Sequence, residues 1–230
     1  MKKVYILSGA GLSAESGIRT FRDANGLWEE YNVEEVCSVS GYARDRQKVL
    51  DFYDARRADL AIKLPNLAHI KLAEIKNKYP ENIFMLTQNI DDMLERAGCH
   101  DVIHLHGTLT DLRCEDCGAV FEIGYDSQKG VVCPKCESDH IRHNVVMFGE
   151  AAPMYRYLYE LQNEADMLVV IGTSGQVIDV AYLAQLTPYS VLNNLDRDGY
   201  IEEYFTKVYI DKATNAIDQI IKDIEEFLNE

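Results

Sequence analysis

The sequence has few basic residues and no long hydrophobic run, and both absences exclude classes of protein. Lys and Arg number 23 against 38 Asp and Glu, which gives a formal net charge of -15. Nucleic-acid backbones are bound by clustered Lys and Arg, so general nucleic-acid binding is excluded. No apolar stretch approaches the roughly 18 residues of a transmembrane helix, and the first residues do not read as a secretory signal. We therefore expect a cytoplasmic chain with no membrane or nucleic-acid partner.

The six cysteines are not interpreted first as disulfides, because disulfides are rare in the cytosol. Four of them form two C-x-x-C pairs separated by 15 residues: Cys114 with Cys117, and Cys133 with Cys136. This spacing is typical of a four-thiolate zinc site, in which both sulfurs of each pair point at one tetrahedral centre. Four thiolates leave no open coordination position, so we expect one structural zinc ion. Cys37 and Cys99 have no partner at such a spacing.

The apolar run at residues 4–7 ends at a glycine-rich turn. Gly9, Gly11 and Ala14 give the pattern G-x-G-x-x-A, in which residues without side chains let main-chain N–H groups approach a pyrophosphate. A plain tight connection from strand to helix has the same pattern. A hydride-transfer unit would continue through a second strand to an acidic residue about 20 residues later, whereas residues 22–26 are loop-forming. The segment therefore favours a bound dinucleotide covered by a long loop and argues against a hydride-transfer enzyme.

Apolar runs alternate with helical patterns along most of the chain. Buried strands are predicted at 4–7, 83–86, 102–105, 167–171, 190–192 and 208–210. Helices are predicted at 34–38, 42–62, 65–77, 153–163, 177–185 and 213–228. This alternation predicts an α/β fold with a doubly wound parallel sheet. The periodicity is lost from 108 to 144, which predicts a smaller inserted module around the four cysteines.

Polar clusters follow several of the predicted strands, at 9–13, 88–91, 104–106, 172–174 and Asn194. The carboxyl ends of parallel strands meet at one edge of a sheet, and ligands bind there. Five clusters at such ends predict that they converge on a single site.

With these motifs in view, the sequence resembles the sirtuins, which are NAD-dependent protein-lysine deacylases. The matching stretches, in the family's order over almost the whole chain, are GAGLSAESGIRTFR, TQNIDD, HLHG, the two C-x-x-C pairs, VVMFGE and GTS. The resemblance implies a Rossmann-like large domain, about 1–28, 80–107 and 145–230. It also implies a small domain built from a helical insertion, about 29–79, and the zinc module, 108–144. NAD and an acyl-lysine are then expected to meet in the cleft between the two domains.

The resemblance also implies the residues that bind NAD and carry the chemistry. His106, the second histidine of HLHG, matches the catalytic base, and Asn89 is expected to position the ribose or a water. A hydrogen-bonded structural role is the other interpretation of such a histidine, and His104 fits that role better. The NAD-contacting positions are Gly9, Ala10, Gly11, Ser13, Ala14, Thr20, Phe21, Arg22, Trp28, Gln88, Asn89, Ile90, Asp91, Gly172, Thr173, Ser174, Asn194, Leu195, Asp196 and Ala213.

Two groups of residues are expected to contact the acylated substrate. Tyr53 and Arg56 lie three apart and share a helix face, where a phenol and a guanidinium can bind one carboxylate. The pair resembles the signature of sirtuins that remove succinyl and malonyl groups, and the small Ala24 fits a roomy acyl pocket. The other interpretation is an amphipathic helix in which Arg56 is solvated beside Arg57. The remaining positions implied to contact substrate are Val146, Phe148, Gly149 and Glu150.

We therefore expect a monomeric NAD-dependent protein-lysine deacylase that removes succinyl, malonyl and acetyl groups from acyl-lysine proteins and releases nicotinamide and O-acyl-ADP-ribose. Two alternatives stay open. NAD-dependent ADP-ribosyl transfer to protein would use the same activated ribose with another nucleophile. A non-catalytic zinc-ribbon binding module is the alternative from a different class, but it predicts a basic, aromatic module, whereas residues 108–144 carry mixed charge.

Overall fold

The structure is a computed structural model that describes residues 1–20 and 32–230. Within them lie the strands β1 (Val4–Ser8), β2 (Ile83–Thr87), β3 (Ile103–His104), β4 (Gly107–Cys114), β5 (Val120–Glu122), β6 (Ile141–Val145), β7 (Met167–Ile171), β8 (Tyr189–Asn194) and β9 (Lys207–Ile210). Six of them form one sheet in the order β3-β2-β1-β7-β8-β9, and all its neighbours are parallel. The predicted doubly wound parallel sheet is confirmed.

The helices of the described ranges connect and flank these strands. They are α1 (Gly11–Ala14), α2 (Val33–Val36), α3 (Val39–Arg44), α4 (Arg46–Ala61), α5 (Leu67–Lys78), α6 (Met93–Arg96), α7 (Arg156–Glu164), α8 (Val180–Leu186) and α9 (Ala213–Asn229). Short 3-10 turns lie at Pro153–Tyr155 and Ile201–Tyr204. The single helix predicted at 42–62 is wrong in one respect, because the extended backbone of Asp45 divides it. The Asp45 carboxylate accepts the N–H of Lys48 and so caps α4.

Both faces of the large sheet are covered, and its central strands β1, β2 and β7 are accordingly buried and mainly apolar. In β1, Val4 and Ile6 pack on the face that α5 and α9 cover, while Tyr5 and Leu7 pack on the face that α7 and α8 cover. The order of the strands reverses between β1 and β7. In open α/β sheets this switch point is where the loops after two strands diverge and leave a crevice for a ligand.

A smaller antiparallel sheet, β5-β4-β6, carries the cysteine module. The sequence pattern predicts a module here but no strands, and that omission is corrected by the structure. A third apolar cluster, built from α2, α4, β4 and β6, fills the space between the small sheet and these helices.

Helix α5 packs on the large sheet, with Leu72 and Ile75 in the same core as Ile6. The division of the chain into two domains stays a prediction. Helix α5 lies in the segment assigned to the small domain, about 29–79, although it packs on the large sheet. No helix in the described part of the chain is long and apolar enough to cross a membrane.

Candidate active site

Three glycines bring the ends of β1 and β7 into backbone contact at the switch point. The N–H groups of Gly9 and Gly11 donate to the carbonyls of Ile171 and Gly172, both over 2.9 Å. A Cβ at Gly9 would lie 2.7 Å from the carbonyl oxygen of Gly172, and one at Gly11 would lie 2.6 Å from its Cα. Gly172 itself has φ +66°, in the left-handed region that favours glycine. These glycines are therefore required for the approach of two strands, whether or not a ligand is bound.

Two amides at the end of β2 connect the predicted clusters to one another. The side-chain amide of Gln88 donates to Thr173 Oγ1 over 3.1 Å. The Asn89 amide donates to the carbonyl of Gly9 and to Ser13 Oγ, both over 3.1 Å. The ends of β1, β2 and β7 thus share one hydrogen-bonded network, as convergence of the motifs predicts.

The imidazole of His106 is joined to this network through the backbone. Its Nδ1 lies 2.9 Å from the carbonyl oxygen of Gln88, which can only accept, so Nδ1 carries the hydrogen. Burial lowers the pKa of His106, and the hydrogen bond to Gln88 opposes that shift. The ring is therefore neutral near pH 7, with a lone pair at Nε2. A neutral imidazole with a defined tautomer is the form in which histidine acts as a base.

His104 is the last residue of β3, and its ring has other partners than that of His106. Its Nδ1 lies 2.9 Å from the carbonyl oxygen of Asn89, and its Nε2 lies 2.7 Å from the carboxylate of Glu95. Burial lowers the pKa of His104, but the hydrogen bond and charge of Glu95 outweigh it and raise the pKa overall. Both ring nitrogens act as donors to protein acceptors, so the geometry fits a structural role.

Ser13 and Asp91 form the inner wall of the network. The Ser13 side chain is completely buried, and its Oγ lies 3.2 Å from Nε2 of His69. Burial raises the pKa of Asp91, while hydrogen bonds from the Ser13 hydroxyl and the Met93 N–H oppose that shift. Ser13 therefore orders neighbouring side chains of the site, and its hydroxyl already has protein partners.

A further group of predicted NAD contacts lies at the ends of β7 and β8. Asn194 donates from its amide to the carbonyl of Thr173 over 3.0 Å, which ties the ends of these two strands together. Ala213 begins α9, while the Leu195 side chain is exposed after β8. Four residues predicted to bind cofactor or substrate lie outside the described residues: Phe21, Arg22, Ala24 and Trp28. The other predicted positions are Ala10, Ala14, Thr20 and Ile90, in the segments that follow β1 and β2, and Ser174 and Asp196, which follow β7 and β8.

Tyr53 and Arg56 lie on α4, one turn apart, as predicted. The Tyr53 side chain is buried, its ring centroid lies 5.3 Å from that of His143, and burial raises its pKa. Burial also raises the pKa of the Cys37 thiol, against a hydrogen bond from Tyr53 and the charge of Arg56. The Arg56 guanidinium thus lies close enough to act on both groups, and its carbon Cζ lies 5.6 Å from the Phe52 ring centroid.

The predicted substrate-pairing segment after β6 has contacts of its own. The Phe148 N–H donates to the carbonyl of Cys37 over 2.8 Å, and its carbonyl accepts the Val39 N–H over 3.0 Å. The carboxylate of Glu150 pairs with Arg142 and accepts the backbone N–H of Met147 over 3.0 Å. Glu150 therefore fixes the segment internally. Val146 donates its N–H to the carbonyl of His106, and Gly149 has φ +92°.

The four predicted cysteines come together as one cluster. The sulfurs of Cys114 and Cys136 are 3.6 Å apart, as are those of Cys117 and Cys133, and all four lie within 4.8 Å of one another. Four thiolates about 2.3 Å from a tetrahedral Zn²⁺ are separated by about 3.8 Å. The thiols are not disulfide-bonded, and their arrangement fits a zinc ion.

Both knuckles are built in the same way. The residue after the second cysteine of each pair, Gly118 or Glu137, has positive φ and donates its N–H to the carbonyl of the first cysteine. Glycine favours this conformation in the first knuckle, whereas the second adopts it with a non-glycine residue. The sequence signal for a four-thiolate site therefore corresponds to two knuckles of the same geometry.

Comparison with known proteins decides the family. The family model described as "Sir2 family" matches residues 9–179, which include the glycine-rich turn, both C-x-x-C pairs and the GTS motif. This chain belongs to the Sir2 family. A Sir2-family relative from Campylobacter jejuni strain RM1221, named "NAD-dependent protein deacylase", is 53% identical over 230 residues, covering 100% of this chain and 99% of the relative.

Solved Sir2 structures share the fold. A Sir2 homologue crystallised as an NAD complex has a TM-score of 0.84 and 34% identity, over 99% of this chain and 91% of the other. A Sir2 variant solved with a deacetylated p53 peptide and 3'-O-acetyl ADP-ribose has a TM-score of 0.81 and 27% identity, over 96% and 93%.

Sequence reasoning missed four residues around this site. Tyr155 contacts His106, and Asp54, Arg57 and His143 form a buried polar group beside Tyr53. Asp54 and Arg57 lie one turn apart on α4, so their spacing in the sequence could have predicted the ion pair between them. Tyr155 and His143 are distant in sequence from their partners, so no spacing rule finds them.

Proposed function

We propose that this chain is an NAD-dependent protein-lysine deacylase. The observation that carries the proposal is the position of His106, whose ring is bonded to the Gln88 backbone while the Gln88 side chain is bonded to Thr173. Gln88 thus connects a neutral base to Thr173 at the switch point through two hydrogen bonds. Dinucleotides bind at this point in α/β folds. The family match and the relative named NAD-dependent protein deacylase support the same function.

The chemistry of the residues at the switch point fits NAD. The hydroxyl and amide groups of Thr173, Ser174 and Asn194 would hold phosphate and ribose oxygens beside the glycines of the first loop, which lie in backbone contact with Gly172. Asn89 and Asp91 would orient the nicotinamide and its ribose. NAD supplies a ribose carbon whose nicotinamide can depart, and it is consumed as a substrate. Orientation by bound residues can supply ~7–11 kcal/mol of the barrier reduction.

His106 would accept a proton from a ribose hydroxyl at Nε2. Burial lowers its pKa and so keeps the ring neutral and able to accept at neutral pH. The acyl group would leave the lysine amine and end on ADP-ribose with the consumption of one water molecule, so that NAD, acyl-lysine and water give nicotinamide, free lysine and O-acyl-ADP-ribose. The four cysteines would hold a zinc ion whose coordination they complete, so its role is to stabilise the small sheet.

Replacement of the base tests the function directly. We expect His106→Ala to lower kcat/KM for NAD-dependent deacylation of an acyl-lysine peptide by at least about a hundredfold, the lower range for a general base. The thermal midpoint of the variant should stay near that of the parent protein. The exposed His140 provides a matched control, because His140→Ala removes an imidazole far along the chain in the zinc module.

Adenosine-labelled NAD distinguishes the remaining alternatives. Label recovered as O-acyl-ADP-ribose supports deacylation, whereas label attached to protein would indicate ADP-ribosyl transfer. Full activity of His106→Ala would exclude the assigned base. A parent protein with no NAD-dependent turnover would contradict the proposed function.

We also propose that Tyr53 and Arg56 bind the carboxylate of a succinyl or malonyl group. The buried phenol and the nearby guanidinium support this, because Arg binds a carboxylate through two parallel hydrogen bonds. An acetyl group has no carboxylate, so it does not form these hydrogen bonds with Tyr53 and Arg56.

Arg56→Met tests whether the recognition of a succinyl group differs from that of an acetyl group. We expect kcat/KM for a succinyl-lysine peptide to fall at least about tenfold, since a hydrogen bond to a charged group contributes about 1.5–3 kcal/mol. Activity on the matching acetyl peptide should change less than about twofold. Arg56→Lys, which keeps the charge without the planar fork, should give an intermediate loss. Equal losses on both peptides would contradict carboxylate recognition.

We propose acyl-lysine proteins as the partners, and a two-domain organisation with the zinc module in the smaller unit. The net charge of -15 supports basic protein segments over nucleic acid as partners. A monomeric state and a cytoplasmic location stay predictions.

A further inference from the structure

The second ring nitrogen of His106 already has a partner, from a distant part of the chain. The hydroxyl of Tyr155 lies 2.7 Å from His106 Nε2, and the two ring centroids are 5.6 Å apart with their planes at 49°. Tyr155 ends the 3-10 turn Pro153–Tyr155 and immediately precedes α7. Its contact with His106 spans 49 residues of sequence.

The direction of this hydrogen bond follows from the other side of the ring. Nδ1 donates to the Gln88 carbonyl, so Nε2 of the neutral ring has only a lone pair. Burial lowers the pKa of His106 and raises that of Tyr155, so both groups are neutral near pH 7. The Tyr155 hydroxyl must therefore donate to His106 Nε2.

An imidazole nitrogen has a single lone pair in the plane of the ring. The proposed function needs that lone pair for a ribose hydroxyl of NAD, and the phenol in the described structure already uses it. The two hydroxyls cannot both donate to Nε2 with good geometry.

We propose that Tyr155 is a positioning residue whose hydroxyl donates to His106 Nε2 and is displaced from that nitrogen when the NAD ribose binds. The inference rests on the proposed function. The phenol favours the same tautomer of the His106 ring that the Gln88 carbonyl sets, with the hydrogen on Nδ1. The ribose hydroxyl then replaces it at the same lone pair.

The turn that carries Tyr155 is suited to such a displacement. No side chain caps the turn, nor the start of α7. Pro153 and Arg156 are exposed, while Met154 and Tyr155 are half-buried and pack on the margin of the apolar cluster. Rotation of one side chain therefore leaves the buried apolar cluster in place.

Tyr155→Phe removes the hydroxyl and keeps the ring. We expect the Kd and the KM for NAD to fall about fivefold, because one neutral hydrogen bond no longer competes with the ribose. The kcat should be unchanged, since in the complex the phenol has already left the base. Tyr159→Phe is the matched control: Tyr159 lies on α7 with its side chain exposed, and its loss should leave the affinity unchanged.

A second measurement needs no turnover. In the protein labelled with ¹⁵N at histidine, Tyr155→Phe should move the Nε2 resonance of His106 toward that of an imidazole nitrogen without a donor, and leave Nδ1 unmoved. Saturating ADP-ribose should bring the spectra of the parent and the variant together.

The outcomes separate this proposal from the proposed function. An unmoved Nε2 resonance, an unchanged Kd for NAD, or a lower kcat at unchanged affinity would each overturn the role of Tyr155. A parent protein that binds NAD more weakly than Tyr155→Phe, yet deacylates no peptide, would support the displacement while overturning deacylation.

Discussion

Ser13 holds neighbouring side chains of the candidate site in place through its hydrogen bonds. The N–H of Asn66 donates to His69 Nδ1 over 3.2 Å, so His69 carries its hydrogen on Nε2 and donates it to Ser13 Oγ. The same oxygen accepts from the Asn89 amide, and its own hydrogen goes to Asp91. A neutral histidine buried under the sheet edge thereby fixes the orientation of two residues that face the proposed nicotinamide.

His69 also gives the stability of the fold a dependence on pH. Burial lowers its pKa from 6.5 to about 4. Its contribution is present above pH 6.5 and is lost as the pH falls through 4, because the unfolded chain binds the proton more readily. Between pH 7 and pH 4.5, we expect His69 to account for a loss of about 2 kcal/mol in the free energy of unfolding. Urea denaturation at the two pH values measures it.

His69→Gln provides the comparison for that prediction. Glutamine does not titrate, so the difference in unfolding free energy between the two pH values should be smaller in the variant by the same amount. The buried His143, whose pKa is also lowered to about 4, contributes equally in both proteins. Identical pH dependence of the parent and the variant would show that His69 is not held neutral by burial.

The roles of single residues could be predicted where a motif determines them, but not where contacts between distant parts of the chain determine them. His106 follows a short strand, and the rule that ligands gather at strand ends placed it correctly at the edge of the sheet. The partner of its second nitrogen lies 49 residues away, and nothing in the spacing identifies Tyr155. Likewise, two consecutive arginines follow Ala55, and only the structure shows that Arg57 is completely buried.

Helix α4 carries two different sets of contacts on adjacent faces. Tyr53 and Arg56 belong to the proposed acyl pocket. Asp54 accepts from Nε2 of His143 over 3.0 Å, and Arg57 donates to the carbonyls of Leu109 and Asp126. Asp54 also accepts from Ser127 Oγ over 2.6 Å. One helix thus joins the candidate substrate pocket to the small sheet through buried polar contacts.

The Asp54 carboxylate is expected to be a major anchor of α4. Asp54→Asn removes the charge beside the buried Arg57 and His143, and we expect the free energy of unfolding to fall by about 3 kcal/mol, as when one partner of a buried pair is removed. Asp51→Asn, one turn earlier on α4, is the control. Its exposed pair with Lys129 should contribute less than about 1 kcal/mol.

Chemical denaturation of the two variants tests this difference. Equal and small losses in the free energy of unfolding would contradict the prediction. They would show that other polar groups replace the contacts of the Asp54 carboxylate.

The elements that sequence reasoning missed are the strands of the small sheet, and the cause is physical. Between Gly107 and Leu112 the pairing of β4 with β6 is irregular, so apolar residues do not alternate with period two. In β6, Arg142 and His143 are buried because carboxylates pair with them. Buried charges remove the apolar signal on which strand prediction depends.

At the scale of the whole molecule, the four-cysteine cluster belongs to the small sheet and not to the large one, so we expect bound zinc to stabilise only the small sheet. Cys136 is the exposed ligand, so Cys136→Ser removes a thiolate with little change in packing. We expect bound zinc to fall from one ion per chain, as measured by atomic absorption. Amide hydrogens of β4 and β6 should lose protection from exchange, while those of β1 and β7 keep it.

Cys99→Ala is the control, because Cys99 belongs to the core of the large sheet and not to the cluster. It should leave the zinc content unchanged. Full zinc binding by Cys136→Ser would show that three thiolates suffice. Equal loss of protection in β1 would show that the two sheets unfold as one unit.

The overall topology was predictable because strands and helices alternate and because polar clusters follow the strands. The order β3-β2-β1-β7-β8-β9 was not predicted, since periodicity identifies strands and not their neighbours. The contact between Gly172 and the glycines of the first loop becomes clear only when that order places β7 beside β1.

The double role of α4 has a consequence for how such an enzyme diverges. Changes in the small sheet reach α4, the helix that carries Tyr53 and Arg56, through the contacts of His143 with Asp54 and Tyr53. The ring of His106 is held from outside that sheet, by the Gln88 carbonyl after β2 and the Tyr155 hydroxyl before α7. On the proposed function, a lineage that accumulates mutations around its zinc would first alter which modifications it erases, and would keep the ability to cleave NAD.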